Sequence, residues 1–166
     1  MDITTALWLF PILFMVHNFE EIIMIPIWWR RNQHAPVRSP FTALAKYPPG
    51  TVAALIAIIF TLFSVVTAAS IISHHLLVGI GLALAFGLQL VGHMVEFLRL
   101  RRYMPHIVTA AATFPYYPWL LFKAMHSGYT PADLLLATLG MGVFGLLVLL
   151  TSHALSSQVS RWLASH

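Results

Sequence analysis

Three of the five acidic residues in this 166-residue chain lie inside stretches that are otherwise apolar, and histidines accompany them. The first such stretch holds His17, Glu20 and Glu21 at positions i, i+3 and i+4, which share one face of a helix. A later stretch holds His93 and Glu96 at i and i+3. Imidazole and carboxylate groups bind divalent metals and also transfer protons. The pattern therefore predicts either a metal centre or an acid–base site.

The composition indicates that a bilayer surrounds these residues. The chain is 59% hydrophobic and 8% charged, with a mean hydropathy of +0.82, whereas soluble domains are roughly 25% charged. A stretch of about 20 apolar residues can cross a membrane. Five stretches of this kind are predicted, at residues 3–29, 51–73, 76–98, 107–122 and 133–155. We expect an all-α, single-domain integral membrane bundle of about five transmembrane helices over residues 1–166.

The fourth predicted helix differs from the others because Pro115 and Pro118 lie in its interior. Proline removes a backbone hydrogen bond, and the freed carbonyl must then be satisfied by neighbouring helices. We expect this helix to be kinked or partly unwound.

The basic residues predict the orientation of the bundle, because short loops rich in lysine and arginine stay in the cytoplasm. Most of them fall on one side of the predicted helices: Arg30, Arg31, Arg38, Lys46, Arg99, Arg101, Arg102 and Arg161. Lys123 lies on the other side. We expect the N-terminus outside and the C-terminus in the cytoplasm. Because these cations flank helices, the net charge of +4 does not indicate a nucleic-acid partner.

A charged side chain at the bilayer centre costs about 2.5–3.5 kcal/mol, so intramembrane acids need partners and usually mark function. In the predicted topology Glu21, His93 and His153 lie in the cytoplasmic half of their helices, and the fourth helix begins there with His106 and Thr109. This shared depth predicts one cluster. The predicted metal ligands are His17, Glu20, Glu21, His93, Glu96 and His153. The predicted catalytic acids are Glu20, Glu21 and Glu96.

The metal is expected to be one or two divalent ions. Because the chain has no cysteine, the ligands must be imidazole and carboxylate, which suit zinc, iron or manganese without selecting among them.

Structural interpretations of the same residues stay open. The His–Glu pairs could form a buried network that fixes helix register, and His106 could be interfacial. Gly142 leaves room for a ligand or for a neighbouring helix. Gly79 and Gly87, four residues on either side of Ala83, allow close contact with another helix or with a second protomer, so a homodimer is possible.

At His17-Asn18-Phe19-Glu20-Glu21 the sequence resembles the HXXEE family of small bacterial membrane proteins, which is named for a His, two variable residues and two Glu. The resemblance implies a multi-pass protein of the bacterial inner membrane and no particular biochemical role. The layout of helices with buried Glu and His also resembles, more faintly, the sterol isomerase and sigma-2 receptor group.

Three functions are compatible with these residues. We favour a metal-dependent membrane enzyme that hydrolyses or oxidises a lipid or another hydrophobic substrate reaching it from the bilayer. The first alternative is a metal-free isomerase in which the glutamates transfer protons. The second is a proton-coupled carrier or a ligand-binding membrane protein.

Overall fold

The computed structural model describes residues 1–32 and 48–164, except for the side chains of residue 49 and residues 153–164. Within these ranges the secondary structure is helical and comprises six helices. They are α1 (Ile3–Asn32), α2 (Pro49–Ile72), α3 (Leu76–Leu100), α4 (Ile107–Thr113), α5 (Tyr116–His126) and α6 (Pro131–Ala164).

Four segments in the described part of the chain are long and apolar enough to cross a membrane: Ile3–Asn32, Gly50–Ile72, Leu76–Leu100 and Pro131–Ser152. The predicted all-helical fold is therefore confirmed for the described residues, with four candidate membrane spans where about five were predicted. The stretch predicted as a fourth span, residues 107–122, is divided between the short helices α4 and α5, so the expectation that it is kinked or partly unwound is confirmed. The break falls at Phe114 and Pro115, because proline cannot donate the hydrogen bond that would continue the helix.

Helices α1 and α3 run parallel and contact each other through a series of aromatic and polar side chains. Phe10 and Phe14 of α1 contact Phe86 of α3 with ring centroids 5.9 and 5.0 Å apart. Further along both helices, the rings of His17 and His93 lie 5.4 Å apart. The packing register thus brings the polar residues of the two helices to the same level, below an aromatic core.

Small residues of α3 permit close contacts within the chain. A Cβ atom added at Gly81 would lie 2.7 Å from the backbone carbonyl of Ala137 in α6, and one at Gly87 would lie 2.8 Å from the ring of Tyr117. Gly79 packs against Ser70 of α2. The glycine stripe, which the sequence left open between another helix and a second protomer, therefore packs against helices of the same chain.

The segment between α3 and α4 folds back beneath α1. Arg101 ends α3 in the left-handed region, with φ of 48°. The Trp28 Nε1–H then donates a hydrogen bond of 2.9 Å to the Tyr103 carbonyl, and Met104 is buried against Ile25 and Trp28. These contacts hold the start of α4 next to the polar residues of α1.

The contact at Gly81 predicts a stability difference between two glycines of α3. Gly81→Ala should destabilise the protein by about 1–3 kcal/mol, because the added methyl meets backbone that cannot move alone. Gly92→Ala is the matched control, since its Cβ would meet no atom within 4 Å. Thermal unfolding in detergent measures the difference, and equal melting temperatures for the two variants would contradict the packing described.

Candidate metal centre

The first group of candidate ligands joins α1 and α3. His17 and Glu21 are one helical turn apart on α1, and His17 Nε2 lies 3.7 Å from Glu21 Oε1. His93 of α3 brings its Nε2 to 4.0 Å from the same carboxylate oxygen. His17 and Glu21 are buried and His93 is half-buried, with ligand atoms all within 4.8 Å of one another. These residues present two imidazoles and one carboxylate to a common point.

A second group shares His93 and extends toward α4. His106 is 0% exposed, and its Nε2 lies 3.7 Å from Glu96 Oε2. The rings of His93 and His106 stack with centroids 4.1 Å apart. Because His93 also stacks on His17, the three imidazoles form a column, with Glu21 and Glu96 beside it. The second group likewise presents two imidazoles and one carboxylate.

The separations within these groups suit a shared metal ion better than direct hydrogen bonds. Protein N–H···O bonds span about 2.7–3.2 Å, shorter than the 3.7 and 4.0 Å found here. Two ligands each about 2.1 Å from one ion in tetrahedral geometry lie about 3.4 Å apart. Among the described residues, the buried Nε2 atoms of His17 and His93 have no hydrogen-bond partner. A metal ion bound between these side chains would give both nitrogens a partner.

The charge balance of the cluster also favours a cation. In the part of the chain that the structure describes, the ion-pair partners of Glu21 and Glu96 are imidazoles, not lysine or arginine. An ionised carboxylate in an apolar interior needs a compensating charge or several hydrogen bonds. A divalent ion between the carboxylates would supply that charge.

Glu20 points about 100° away from Glu21 around α1 and lies outside both groups. Its Oε1 accepts a 2.8 Å bond from the Tyr103 hydroxyl, and its Oε2 accepts bonds from the Thr109 N–H at 2.8 Å and the Thr109 hydroxyl at 2.6 Å. Burial, followed by the hydrogen bond to Glu20, raises the pKa of Tyr103 to about 12, so its hydroxyl stays a donor at neutral pH. These hydrogen bonds give Glu20 an anchoring role, because they hold the first turn of α4 against α1; its ligand role stays a prediction.

Thr109 connects this anchor to the candidate ligands. Its single hydroxyl proton makes its shortest bond to Glu20, so the same oxygen can accept from His17 Nδ1–H, which lies 3.3 Å away. This pattern assigns the proton of His17 to Nδ1 and its lone pair to Nε2, the atom that faces Glu21. Metal-binding histidines are commonly oriented by such a hydrogen bond on the other ring nitrogen.

A cavity of about 650 Å³ adjoins the first group. Its polar lining is formed by Asn18, Glu21, Gln89 and His93, and the rest of its wall is apolar. The cavity lies between α1, α2, α3 and α6. Candidate ligands therefore stand at one end of a space that an apolar molecule could fill.

Four predicted site residues, His17, Glu21, His93 and Glu96, lie together in the structure, with Glu20 beside them. The side chain of His153 lies outside the described residues, and its ligand role stays a prediction. His106 is part of the cluster, although sequence reasoning placed it at the membrane interface as readily as in the site. Its depth, level with His93, was the signal that favoured the cluster.

The assignment of Thr109 predicts a loss of metal affinity without loss of a ligand. Thr109→Val should weaken metal binding about 10–100-fold, and Thr109→Ser, which keeps the hydroxyl, should bind as the wild type does. Competition with a chelator measures the affinity. Thr138→Val is the control, because the Thr138 hydroxyl bonds only within α6, to Leu134. Wild-type affinity in Thr109→Val would contradict the orienting role.

Comparison with known proteins gives one match. A family model described as a protein of unknown function with HXXEE motif covers residues 8–120, which include His17, Glu20, Glu21, His93, Glu96 and His106. No curated protein and no solved structure matches the chain.

Proposed function

Since the chain belongs to the HXXEE family, whose motif here supplies His17 and Glu21 to the cluster and Glu20 to its anchor, we propose that this protein is a metal-dependent membrane enzyme. Its substrate is a lipid or another hydrophobic molecule. One observation carries the proposal: overlapping histidine–glutamate groups stand at the polar end of an apolar cavity.

The ligand chemistry supports two reaction types. Each group offers two imidazoles and one carboxylate, a set used by catalytic zinc sites and by non-haem iron oxygenases. Zinc would activate water to hydrolyse an ester or amide bond, whereas iron would use molecular oxygen to oxidise the substrate. Manganese also suits these ligands. The element that the purified protein retains therefore decides between hydrolysis and oxidation.

The two groups share His93, so they accommodate one ion in either position, or two ions that divide the five candidate ligands. Glu21 and Glu96 are the acids closest to these positions. A carboxylate that is not bound to the metal could transfer a proton to or from the substrate.

The proposed location is the bacterial inner membrane, with the N-terminus outside and the C-terminus in the cytoplasm. The arginines at the ends of α1 and α3 support this orientation. Together α4 and α5 would form a fifth, broken crossing. Such a break is tolerated in a bilayer where protein surrounds it, and the buried residues Ala110, Thr113 and Tyr117 support that arrangement.

Elemental analysis of protein purified without a histidine tag, paired with lipid analysis, tests the proposal. Wild-type protein should hold about one or two metal ions per chain, and His93→Ala should lose them because His93 belongs to both groups. His75→Ala, an exposed histidine at the start of α3, is the control and should keep the metal. In liposomes of bacterial lipids, metal-loaded wild type should yield a product, detected by mass spectrometry, that His93→Ala does not.

Stoichiometric metal retained in His93→Ala would overturn the site. If wild-type protein binds none of zinc, iron and manganese on reconstitution, the result would instead favour the metal-free isomerase. Glu21 supports that alternative, because this acid faces the cavity and could transfer a proton to a bound substrate.

A further inference from the structure

We propose that the cavity binds a hydrocarbon chain of a neutral amphiphile whose oxygen-bearing group, an alcohol, ester or amide, reaches Glu21 and His93. The inference names the substrate class of the proposed enzyme. Only the claim that this molecule reacts rests on the proposed function; the claim that it binds is argued from the lining and the opening of the cavity.

The length of the cavity suits an extended hydrocarbon chain. Along α3 its lining runs from Leu82 to His93, a distance of about 16 Å at 1.5 Å per residue. A zigzag chain of about a dozen carbons spans that length, given carbon–carbon bonds of about 1.5 Å. A volume of about 650 Å³ is within the range of small-molecule sites, roughly 300–1,000 Å³.

The polar end must supply the affinity. A hydrocarbon chain in the bilayer is already in an apolar solvent, so its transfer into an apolar cavity gains little. Polar groups on the parallel helices α1 and α3 follow the apolar lining in chain order, with Glu21 after Phe14 and His93 after Phe86. A ligand with a polar group at one end of its chain matches this arrangement.

The charges around the cavity also restrict the polar group of the ligand. In the part of the chain that the structure describes, the lining contains no lysine or arginine to pair with a phosphate, and Glu21 and Glu96 together balance the charge of one divalent ion. The cavity is thus unsuited to a phospholipid head, whereas an alcohol, ester or amide carries no charge that needs a partner. Its oxygen could accept hydrogen bonds or bind a metal held by the neighbouring ligands.

Access is from the membrane, along α6. Leu146 and Leu149 line the cavity and are 54% and 41% exposed, so the wall that α6 contributes is not covered by other helices of the described chain. Above them, Gly142 and Gly145 leave the space open. A Cβ atom added at these positions would lie 3.9 Å from Ala85 and 3.8 Å from Phe63, at ordinary contact distance. A larger side chain at Gly145 would therefore extend into the cavity.

Photolabelling in nanodiscs tests the proposal with full-length, metal-loaded protein. The probe is a long-chain fatty alcohol that carries a diazirine on its chain. Wild-type protein should be labelled on cavity-lining residues of α2 and α6. Gly145→Leu should lower that labelling about tenfold, because overpacking costs on the order of one decade in affinity. Gly140→Leu, with open space around its Cβ, should be labelled as the wild type is.

A second probe and a metal assay separate the possible outcomes. The same chain with a phosphate head should label the cavity far less than the alcohol does. Equal labelling of Gly145→Leu and Gly140→Leu, or equal labelling by the two probes, would overturn the inference. Metal content is measured on every sample. If the protein retains metal but the cavity is not labelled, this inference is refuted and the proposed function is not. If the cavity is labelled in protein that binds no metal, the proposed function is refuted and this inference is not.

Discussion

The structure depends on the cost of keeping carboxylates away from water. Glu20, Glu21 and Glu96 lie in helices that are otherwise apolar, and each needs compensation from within the protein. Glu20 obtains it from three hydrogen bonds donated by Tyr103 and Thr109. Glu21 and Glu96 have imidazoles within 4.0 Å instead. Glu20 is therefore an anchored acid, whereas Glu21 and Glu96 are acids that a cation can bridge.

The anchor explains how three separate segments meet at one point. Trp28 and Met104 hold the segment after α3 beneath α1, and Glu20 then binds the first turn of α4. His106 immediately precedes that turn and is carried to Glu96 and His93. Thr109, which is bound to Glu20, also contacts His17 and so orients its ring. The site is therefore built from α1, α3 and the connection between α3 and α4.

The sequence predicted the four long helices and most of the residues of the cluster, because hydrophobic runs and a spacing of three or four residues are local features. It could not assign separate roles to Glu20 and Glu21. Neighbouring residues on a helix point about 100° apart, and which one faces α3 depends on tertiary packing. The place of His106 depended on the path of residues 101–105, which turns at Arg101 in a conformation unusual for arginine. The cavity is formed by the packing of four helices, which the sequence does not give. Gly142 alone was compatible both with a ligand cavity and with a close helix contact.

A crystal structure of the metal-loaded protein, with anomalous scattering recorded at the absorption edge of the retained element, tests the central claim most directly. We predict a peak about 2.1 Å from a nitrogen of His93 and from a carboxylate oxygen of Glu21 or Glu96. A peak at the exposed His74 and His75 instead, or none near His93 in protein that carries about one ion per chain, would contradict the account.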